Sequence, residues 1–385
     1  MIIGIPKEIM HGEDRVSATP ETVKKMVQDG ATVLVETNAG KGAFFSDAAY
    51  AEAGAQIIAD VAELYEKADV ILKVKEPQFN ESKGCSEVDL MHEGQYLITF
   101  IHPASPVNHK MVQAMADKGI ISLTLDGVPR ISRAQKMDAL SSMSTCAGYK
   151  GILMAANDLP KFMTMIMSSA GTIKPVNVLV IGTGVAGLRA LATAKGLGAK
   201  IHSCDIRPVA NENATSFGAK IIDLGIPAEV AVGEGGYALP LPEEWLNHER
   251  EVLSKVVPEM DIIFCSALVP SRLAPVILTD EMVASMKPGS AIVDISIDQG
   301  GNCAITDPGV RSVKHEVVIE GIKNIPGMIP TSSTWMFANN IYELLKYLTK
   351  DGSIVLDRED PIVAGTLTTI GGEIVHAGAR EAMGI

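Results

Sequence analysis

The sequence contains no run of eighteen apolar residues, so no membrane-spanning helix is expected in the 385-residue chain. The first ten residues, MIIGIPKEIM, have neither a long apolar core nor a small-residue cleavage site, so they do not predict a signal peptide. We therefore expect the chain to be soluble.

The chain also lacks an excess of basic residues. Lys and Arg total 33 against 46 Asp and Glu, which gives a formal net charge of -13. Nucleic-acid binding depends on clustered Lys and Arg, so no nucleic-acid partner is expected. This charge still allows a local basic pocket for a small phosphate.

Cysteine is scarce, and its spacing does not suggest a disulfide framework. The five cysteines include no C-x-x-C pair, and Cys204 and Cys265 lie in apolar runs that predict strands. We expect buried thiols in a reducing cytosol. No spacing typical of metal ligands is present, so no metal is expected.

The order of predicted elements indicates an α/β fold. Short β-rich runs alternate with helical stretches before residue 128, and a second such series begins at NVLVIG. This rhythm predicts βαβ units and mostly parallel sheets. We predict two Rossmann-like doubly wound domains joined by long helices, with a cleft between them.

The domain boundaries follow from the same pattern. Residues 1–140 and 328–385 are expected to form one α/β domain, completed by the helix predicted in WMFANNIYELLKYLTK. Residues 141–327 are expected to form the NAD-binding domain. Between the two strand series, DALSSMSTCAGYKGILMAANDLPKFMTMIM predicts one or two long helices, with the Met-rich KFMTMIM filling a core.

The stretch VLVIGTGVAGLRALATAKGLGAKIHSCDIR contains a dinucleotide-binding fingerprint. A predicted strand leads into Gly182-x-Gly184-x-x-Gly187, a helical pattern follows, and a second strand ends at Asp205. Gly182 permits a tight turn, Gly184 lets the backbone approach a pyrophosphate, and Gly187 lets the helix pack closely on the sheet. The N-terminus of that helix favours the anion.

An acid at the end of the second strand bears on the choice of cofactor. Asp205 follows Gly187 by 18 residues, and a carboxylate there would hold the adenosine ribose hydroxyls and repel a 2′-phosphate. This favours NAD over NADP, although Arg207 weakens the preference. The residues predicted to bind the cofactor here are Gly182, Thr183, Gly184, Val185, Ala186, Gly187, Asp205, Ile206 and Arg207.

Further candidates follow two later strands. SALVP (266–270) and DISIDQGGN (294–302) stand where ligands bind in open α/β sheets, beyond the carboxyl ends of strands. Ala267, Leu268 and Asp298 are therefore candidates to line the nicotinamide end. Asp298 could instead be a turn-forming residue before a Gly pair.

Taken together, these motifs resemble those of the alanine dehydrogenase and proton-translocating transhydrogenase superfamily over nearly the whole chain. IGIPKE…GEDRVSATPETV and ADVILKVKEP are shared by both branches, as are the Gly-rich loop and the GS-I-VD strand.

One segment resembles the transhydrogenase branch in particular. In RISRAQKMDALSS (130–142) apolar residues recur every third position, which predicts one helical face, and a solvated helix start would explain its polar residues. PRISRAQKMDALSSMSTCAGY is also similar to a signature of the NAD(H)-binding component. The resemblance implies that Arg130, Asp138 and Ser141 fix the nicotinamide carboxamide and that Gln135 reaches the partner's nucleotide.

A second segment also resembles that branch. GEGGYA (233–238) is similar to a mobile loop that closes over NAD(H), which implies cofactor contacts from Gly236 and Tyr237. Without the resemblance, Tyr237 would be interpreted as a surface-loop aromatic.

Four other residues resemble the alanine dehydrogenase branch. Arg15 and Lys75 match residues that hold a substrate carboxylate, His102 matches an acid/base, and Asp298 matches an aspartate facing the reacting carbon and amine. An amino-acid dehydrogenase needs such groups because it moves protons as well as hydride. A histidine with a pKa of about 6.5 suits that role.

Three functions therefore stay open. We prefer the NAD(H)-binding subunit of a proton-translocating transhydrogenase, because RISRAQ is long and the dehydrogenase branch normally lacks it. The resemblance then implies direct hydride transfer between NADH and NADP+ held by a partner, with membrane-spanning and NADP(H)-binding subunits as partners. It also implies a homodimer in the cytoplasm, held at the inner face of the membrane by those subunits. The alternatives are a soluble NAD-dependent amino-acid dehydrogenase of the alanine type and a regulatory nucleotide-binding protein without chemistry.

Overall fold

The computed structural model describes residues 1–269 and 272–385. Its strands, in chain order, are β1 (Ile2–Ile5), β2 (Thr32–Glu36), β3 (Gln56–Ile58), β4 (Val70–Leu72), β5 (Phe79–Asn80), β6 (Cys85–Ser86), β7 (Tyr96–Thr99), β8 (Ile121–Thr124), β9 (Ile166–Ser168), β10 (Gly171–Ile173), β11 (Asn177–Ile181), β12 (Lys200–Cys204), β13 (Lys220–Ile221), β14 (Ile262–Cys265), β15 (Ala291–Asp294), β16 (Arg311–Lys314), β17 (Val317–Glu320), β18 (Thr349–Lys350), β19 (Ser353–Ile354), β20 (Leu367–Ile370) and β21 (Glu373–Ile374).

The α-helices are α1 (Pro20–Gln28), α2 (Asp47–Glu52), α3 (Val61–Lys67), α4 (Glu87–Leu90), α5 (His109–Asp117), α6 (Ala139–Asp158), α7 (Val185–Gly196), α8 (Pro208–Ser216), α9 (Ala228–Ala231), α10 (Glu243–Ser254), α11 (Asp280–Ala284), α12 (Pro330–Leu348), α13 (Pro361–Thr366) and α14 (Ala377–Met383). Short 3₁₀ helices cover Lys41–Ala43, Pro106–Asn108, Leu125–Gly127, Ser132–Met137, Glu234–Gly236, Val257–Glu259, Ile297–Gln299 and Ile325–Met328.

The chain divides into two compact units, residues 1–143 with 326–385 and residues 144–325. In the first unit the parallel strands follow the order β3-β2-β1-β4-β7-β8, and β20 and β21 extend the sheet beyond β8 in antiparallel fashion. The sequence after residue 326 therefore supplies one edge of this sheet as well as α12, which packs on α1.

The second unit repeats the strand order around a different centre. Its sheet runs β13-β12-β11-β14-β15-β17 in parallel, with β16 antiparallel at the edge. All four residues of β14 are buried, and β11 is buried from Val178 to Ile181, because helices cover both faces of a doubly wound sheet. The order reverses at β11, between β12 and β14, where open α/β sheets bind ligands. The predicted α/β class with two Rossmann-like sheets is confirmed.

Small residues let α6 lie close to the second sheet. A Cβ on Gly148 would overlap the Ala186 carbonyl oxygen, and one on Gly151 would stand 2.7 Å from the Phe264 ring. The sequence CAGYKG therefore places α6 against the start of α7.

The stretch after α6 departs from the prediction. The sequence predicts no strand there, but β9 and β10 form an antiparallel hairpin. The prediction that the Met-rich segment fills a core is wrong, because Phe162, Met165 and Met167 are 56%, 54% and 77% exposed. The helix stops before Pro160, since a residue preceding proline is disfavoured in α conformation, and the chain then turns back at Gly171.

Among the described residues, no helix combines the length and apolar character needed to cross a membrane. Cys204 and Cys265 are buried free thiols, as their strand positions predict. Within residues 1–269 and 272–385 no group of three His, Cys, Asp or Glu side chains is arranged to hold a metal ion.

Candidate functional site

The glycine turn between β11 and α7 is shaped by close backbone approaches. Gly182 has φ +84°, and a Cβ there would lie 2.8 Å from the backbone of Ala267. A Cβ on Gly187 would overlap the Gly182 carbonyl oxygen, so only glycine lets α7 start this close to the sheet. Nothing lies within 4 Å of a Cβ built on Gly184, which leaves open space at the helix N-terminus.

That open space suits a pyrophosphate. The helix α7 begins at Val185 and Gly184 is its N-cap, so main-chain N–H groups and the positive end of the helix dipole meet there. Ala186 is nearly buried, whereas Val185 is 39% exposed at the same end. The residues present fit a dinucleotide phosphate group.

Asp205, directly after β12, faces the glycine turn. One carboxylate oxygen, Oδ2, accepts a hydrogen bond from Thr183 N at 2.8 Å, and Asp205 is 8% exposed. Arg207 forms a bidentate ion pair with it, through Nε at 2.9 Å and Nη2 at 2.8 Å. Next to this pair, a 350 Å³ pocket is lined by residues that include Asp205, Ile206, Pro208, Asn211 and Leu224. The acid, the turn and the pocket form the adenosine side of a dinucleotide site.

The loop after β14 is held by a residue that the sequence did not suggest. Asn302 is fully buried, its Oδ1 accepts from Ala267 N at 2.9 Å, and its Nδ2 donates to the Ala267 carbonyl at 2.8 Å. Asp294, at the end of β15, accepts in turn from Asn302 N at 2.9 Å. These contacts fix Ala267 beside Gly182, and Leu268 is 38% exposed one residue later. Pro270 of the SALVP motif lies outside the described residues.

The other predicted residues of this unit lie in or beside two 3₁₀ helices. Asp298, on Ile297–Gln299, has a side chain that is 62% exposed, with the Lys323 ammonium 3.7 Å away. Tyr237 is 36% exposed and follows two left-handed glycines, Gly235 and Gly236. Its carbonyl accepts from Gly233 N at 2.9 Å, which closes the segment into a tight turn.

In the first unit, Arg15 is engaged by a neighbouring acid. Its guanidinium donates to both carboxylate oxygens of Glu13, at 2.7 and 2.5 Å, and both side chains are buried. Although burial opposes ionisation, the hydrogen bonds from Arg15 lower the pKa of Glu13 below its usual value. Lys75 is half-buried, and its carbonyl accepts from Thr99 Oγ1 at 2.8 Å.

His102 forms a dyad with an acid that the sequence did not suggest. Its Nδ1 lies 2.7 Å from Asp126 Oδ1, and its backbone N–H donates to the other carboxylate oxygen at 2.8 Å. The imidazole stacks on Phe100 and the backbone is left-handed, with φ +49°. Although burial opposes protonation, the Asp126 carboxylate raises the pKa of His102 above its usual value. Because 43% of the side chain is exposed, the ring is accessible to a proton-exchanging partner.

Below this region lies a buried charge cluster that sequence reasoning missed. Lys73 is completely buried, with the carboxylates of Glu87 and Glu8 at 2.8 and 3.3 Å. Glu8 accepts from Val74 N at 2.6 Å and Glu87 from Gln78 N at 2.8 Å. The two acids thus hold both ends of the segment that carries Lys75.

The segment 130–142 begins with the 3₁₀ helix Ser132–Met137, and α6 follows. Its spacing of three matches the three residues per turn of a 3₁₀ helix, and Ala134 and Met137 are buried at 0% and 4%. Leu140 does not continue the buried face, since it is 44% exposed. Asn340 of α12 donates to the Lys136 carbonyl at 2.8 Å, which fastens the segment to that helix.

The polar residues of this segment lie in two environments. Arg130 and Gln135 are exposed. Asp138 and Ser141 are brought together, since Asp138 accepts from Ser141 N at 2.8 Å and from Ser141 Oγ at 2.5 Å. Asp138 thereby caps the first turn of α6.

A glycine turn at the sheet's reversal point, an acid at the next strand end and an open helix N-terminus define a dinucleotide-binding oxidoreductase of the Rossmann class. Comparison with known proteins agrees: the alanine dehydrogenase/PNT N-terminal domain matches residues 4–147, and the C-terminal domain matches residues 151–377. The chain belongs to the alanine dehydrogenase/PNT family, and it is an NAD(H)-binding, NAD-dependent oxidoreductase. The resemblance found in the sequence motifs is thereby confirmed.

Individual relatives come from both branches. The chain is 42% identical over 379 residues to the first portion of the NAD(P) transhydrogenase alpha subunit of Rhodospirillum rubrum, which is a separate chain there, and the match covers 98% of each chain. It is 33% identical to alanine dehydrogenase 2 of Staphylococcus aureus, covering 99% of this chain and 96% of that one. Among solved structures, a transhydrogenase from Sinorhizobium meliloti superposes with a TM-score of 0.85 at 35% identity, over 97% of this chain and 100% of that one.

Proposed function

We propose that this chain is the NAD(H)-binding component of a proton-translocating transhydrogenase. The observation that carries the proposal is the end-to-end match to the Rhodospirillum rubrum subunit, together with the 3₁₀ segment Ser132–Met137. The chain would hold NAD(H) in its second unit and exchange hydride directly with NADP(H) held by a partner component. Its other partners would be membrane-spanning subunits, which would keep a homodimer of this chain at the cytoplasmic face of the membrane.

The residue types suit this chemistry. NADH supplies the hydride and NADP+ accepts it, so the protein needs no nucleophile and no acid or base for the transfer itself. The task of the protein is alignment, and fixed orientation can lower a reaction barrier by about 7–11 kcal/mol. Arg130, Asp138 and Ser141 would fix the nicotinamide carboxamide. In the cofactor's own unit, Thr183, Asp205 and Tyr237 would hold the remainder of NAD(H).

The exposure pattern of the 3₁₀ segment supports a partner-facing role. Ala134 and Met137 are buried, whereas Gln135 and Lys136 between them are exposed. A short rigid element that is anchored on one face and polar on the other can present a side chain at a defined position. Gln135 would be the residue that reaches the partner's nucleotide.

The test is Gln135→Asn, which keeps the amide but shortens its reach by one methylene. We expect slower transfer from NADPH to an acetylpyridine analogue of NAD, measured by absorbance with a soluble NADP(H)-binding component. NADH affinity, measured by calorimetry on the chain alone, should be unchanged. Lys136→Gln, at a neighbouring exposed position, is the matched control and should leave both quantities near wild type. Equal losses of transfer and of NADH affinity in Gln135→Asn would show that the residue does not face the partner.

One observation favours a second candidate function, an NAD-dependent amino-acid dehydrogenase of the alanine type. The His102–Asp126 dyad has the geometry of a general acid/base, and hydride transfer between nicotinamides does not require one. In that function Arg15 and Lys75 would hold the substrate carboxylate, and Asp298 would face the reacting carbon. His102→Ala should then abolish NAD reduction by L-amino acids. If the wild-type chain oxidises none of a panel of L-amino acids, this candidate is rejected.

A further inference from the structure

We propose that Arg207 is a latch on the ribose-binding carboxylate, which NAD(H) must displace when it binds. The inference rests on the NAD(H)-binding half of the proposed function and concerns the residue that sets its affinity and selectivity. It arises from the hydrogen bonds that Asp205 makes within the chain itself.

Asp205 is saturated by donors of its own chain. Oδ1 accepts from Arg207 N and Arg207 Nε, both at 2.9 Å. Oδ2 accepts from Thr183 N and Arg207 Nη2, both at 2.8 Å. A carboxylate offers about four lone-pair positions, so these four bonds leave no place for ribose hydroxyls.

Two of the four donors cannot leave without refolding. Thr183 N belongs to the glycine turn, and Thr183 is 1% exposed. Arg207 N lies at the N-cap of α8, directly before Pro208. Both are main-chain groups fixed by the elements around them.

The other two donors belong to one side chain that can move. The Arg207 side chain is 23% exposed, so its guanidinium can rotate towards solvent while the backbone stays in place. Its departure frees one position on each carboxylate oxygen. The adenosine ribose has two neighbouring hydroxyls, which match those two positions in number and in their role as donors.

The exchange has two consequences. A charge-assisted bidentate pair is replaced by two bonds from neutral hydroxyls, so the latch weakens NAD(H) binding. The displaced guanidinium stays at the rim of the ribose site, where an arginine can accommodate a 2′-phosphate. Arg207 therefore narrows the preference for NAD(H) over NADP(H) from both directions.

The experiment uses Arg207→Met, which keeps much of the apolar stem and removes the fork. We expect the Kd for NADH, measured by isothermal titration calorimetry, to fall by at least ~5-fold, since charge-assisted pairs are about twice as strong as neutral ones. The Kd for NADPH should rise or stay too weak to measure. Arg207→Lys retains the charge without the bidentate geometry and should give a smaller gain in NADH affinity.

Arg358→Met makes the same change in net charge at an exposed position of the other unit and is the matched control. It should bind NADH as the wild type does, and far-UV circular dichroism should show all variants folded. An unchanged or higher Kd for NADH in both Arg207 variants would overturn the latch, and a higher Kd would show that the arginine holds the cofactor. Wild-type chain that binds no NADH at all would instead overturn the proposed function, and the latch with it.

Discussion

Gly184 offers the sharpest test of where the cofactor phosphates lie. Its φ of -71° and ψ of -164° are accessible to alanine, and a Cβ built there meets no atom within 4 Å. Gly184→Ala therefore adds a methyl group to empty space in front of α7. If a pyrophosphate occupies that space, the methyl group blocks it while the fold stays intact.

The expected magnitudes separate binding from folding. Alanine is a poorer N-cap than glycine, so the substitution should cost on the order of 0.5–1 kcal/mol in the free energy of unfolding. The lost approach to the pyrophosphate should weaken NADH binding at least ~10-fold, which corresponds to about 1.4 kcal/mol. Calorimetric titration with NADH measures the affinity, and urea unfolding measures the stability.

Two other glycines of α7 are the controls. A Cβ on Gly187 would overlap the Gly182 carbonyl oxygen, so Gly187→Ala should cost about 1–3 kcal/mol or more in stability. Gly196 has open space around its Cβ, so Gly196→Ala should be neutral or stabilising by up to about 1 kcal/mol, with unchanged NADH affinity. NADH affinity in Gly184→Ala that equals wild type would refute the placement of the pyrophosphate.

Two further predictions concern the buried cluster of Lys73, Glu8 and Glu87. Lys73→Met leaves two buried carboxylates without their counter-ion and should lower the free energy of unfolding by about 3–5 kcal/mol, measured by urea titration; a loss below about 1 kcal/mol would contradict the pairing. Burial raises the pKa of Glu8 to about 7, so the folded chain binds more protons than the unfolded chain between the usual pKa of 4.5 and that value. Its contribution to stability therefore falls as pH rises through that window, by at most about 1.36 kcal/mol per pH unit. Glu8→Gln should flatten this part of the profile of stability against pH, and an unchanged slope would show that Glu8 is already ionised there.

Some of the structure could be predicted because its determinants are close together in the sequence. The glycine turn, α7 and Asp205 follow one another within one βαβ unit, so their spacing alone indicates the dinucleotide site. The spacing of three over Ser132–Met137 also indicates a helix, but it fits a 3₁₀ helix better than the general helical face that it predicts.

Other features depend on contacts between distant residues. Asp126 lies 24 positions after His102, and Asn302 lies 35 positions after Ala267, so no local pattern pairs them. The exposed Met165 shows a different limit, because apolar composition predicts burial only where a neighbouring element covers the side chain. These placements become visible only once the two sheets order the strand ends.

Direct hydride transfer is the central claim, and isotope tracing tests it most directly. NADH carrying deuterium at both C4 positions would be mixed in ordinary water with NADP+, the purified chain and a soluble NADP(H)-binding component. Mass spectrometry of the product should show one deuterium in every molecule of NADPH. NADPH without deuterium, or no NADPH beside steady reduction of NAD by an L-amino acid, would contradict the account.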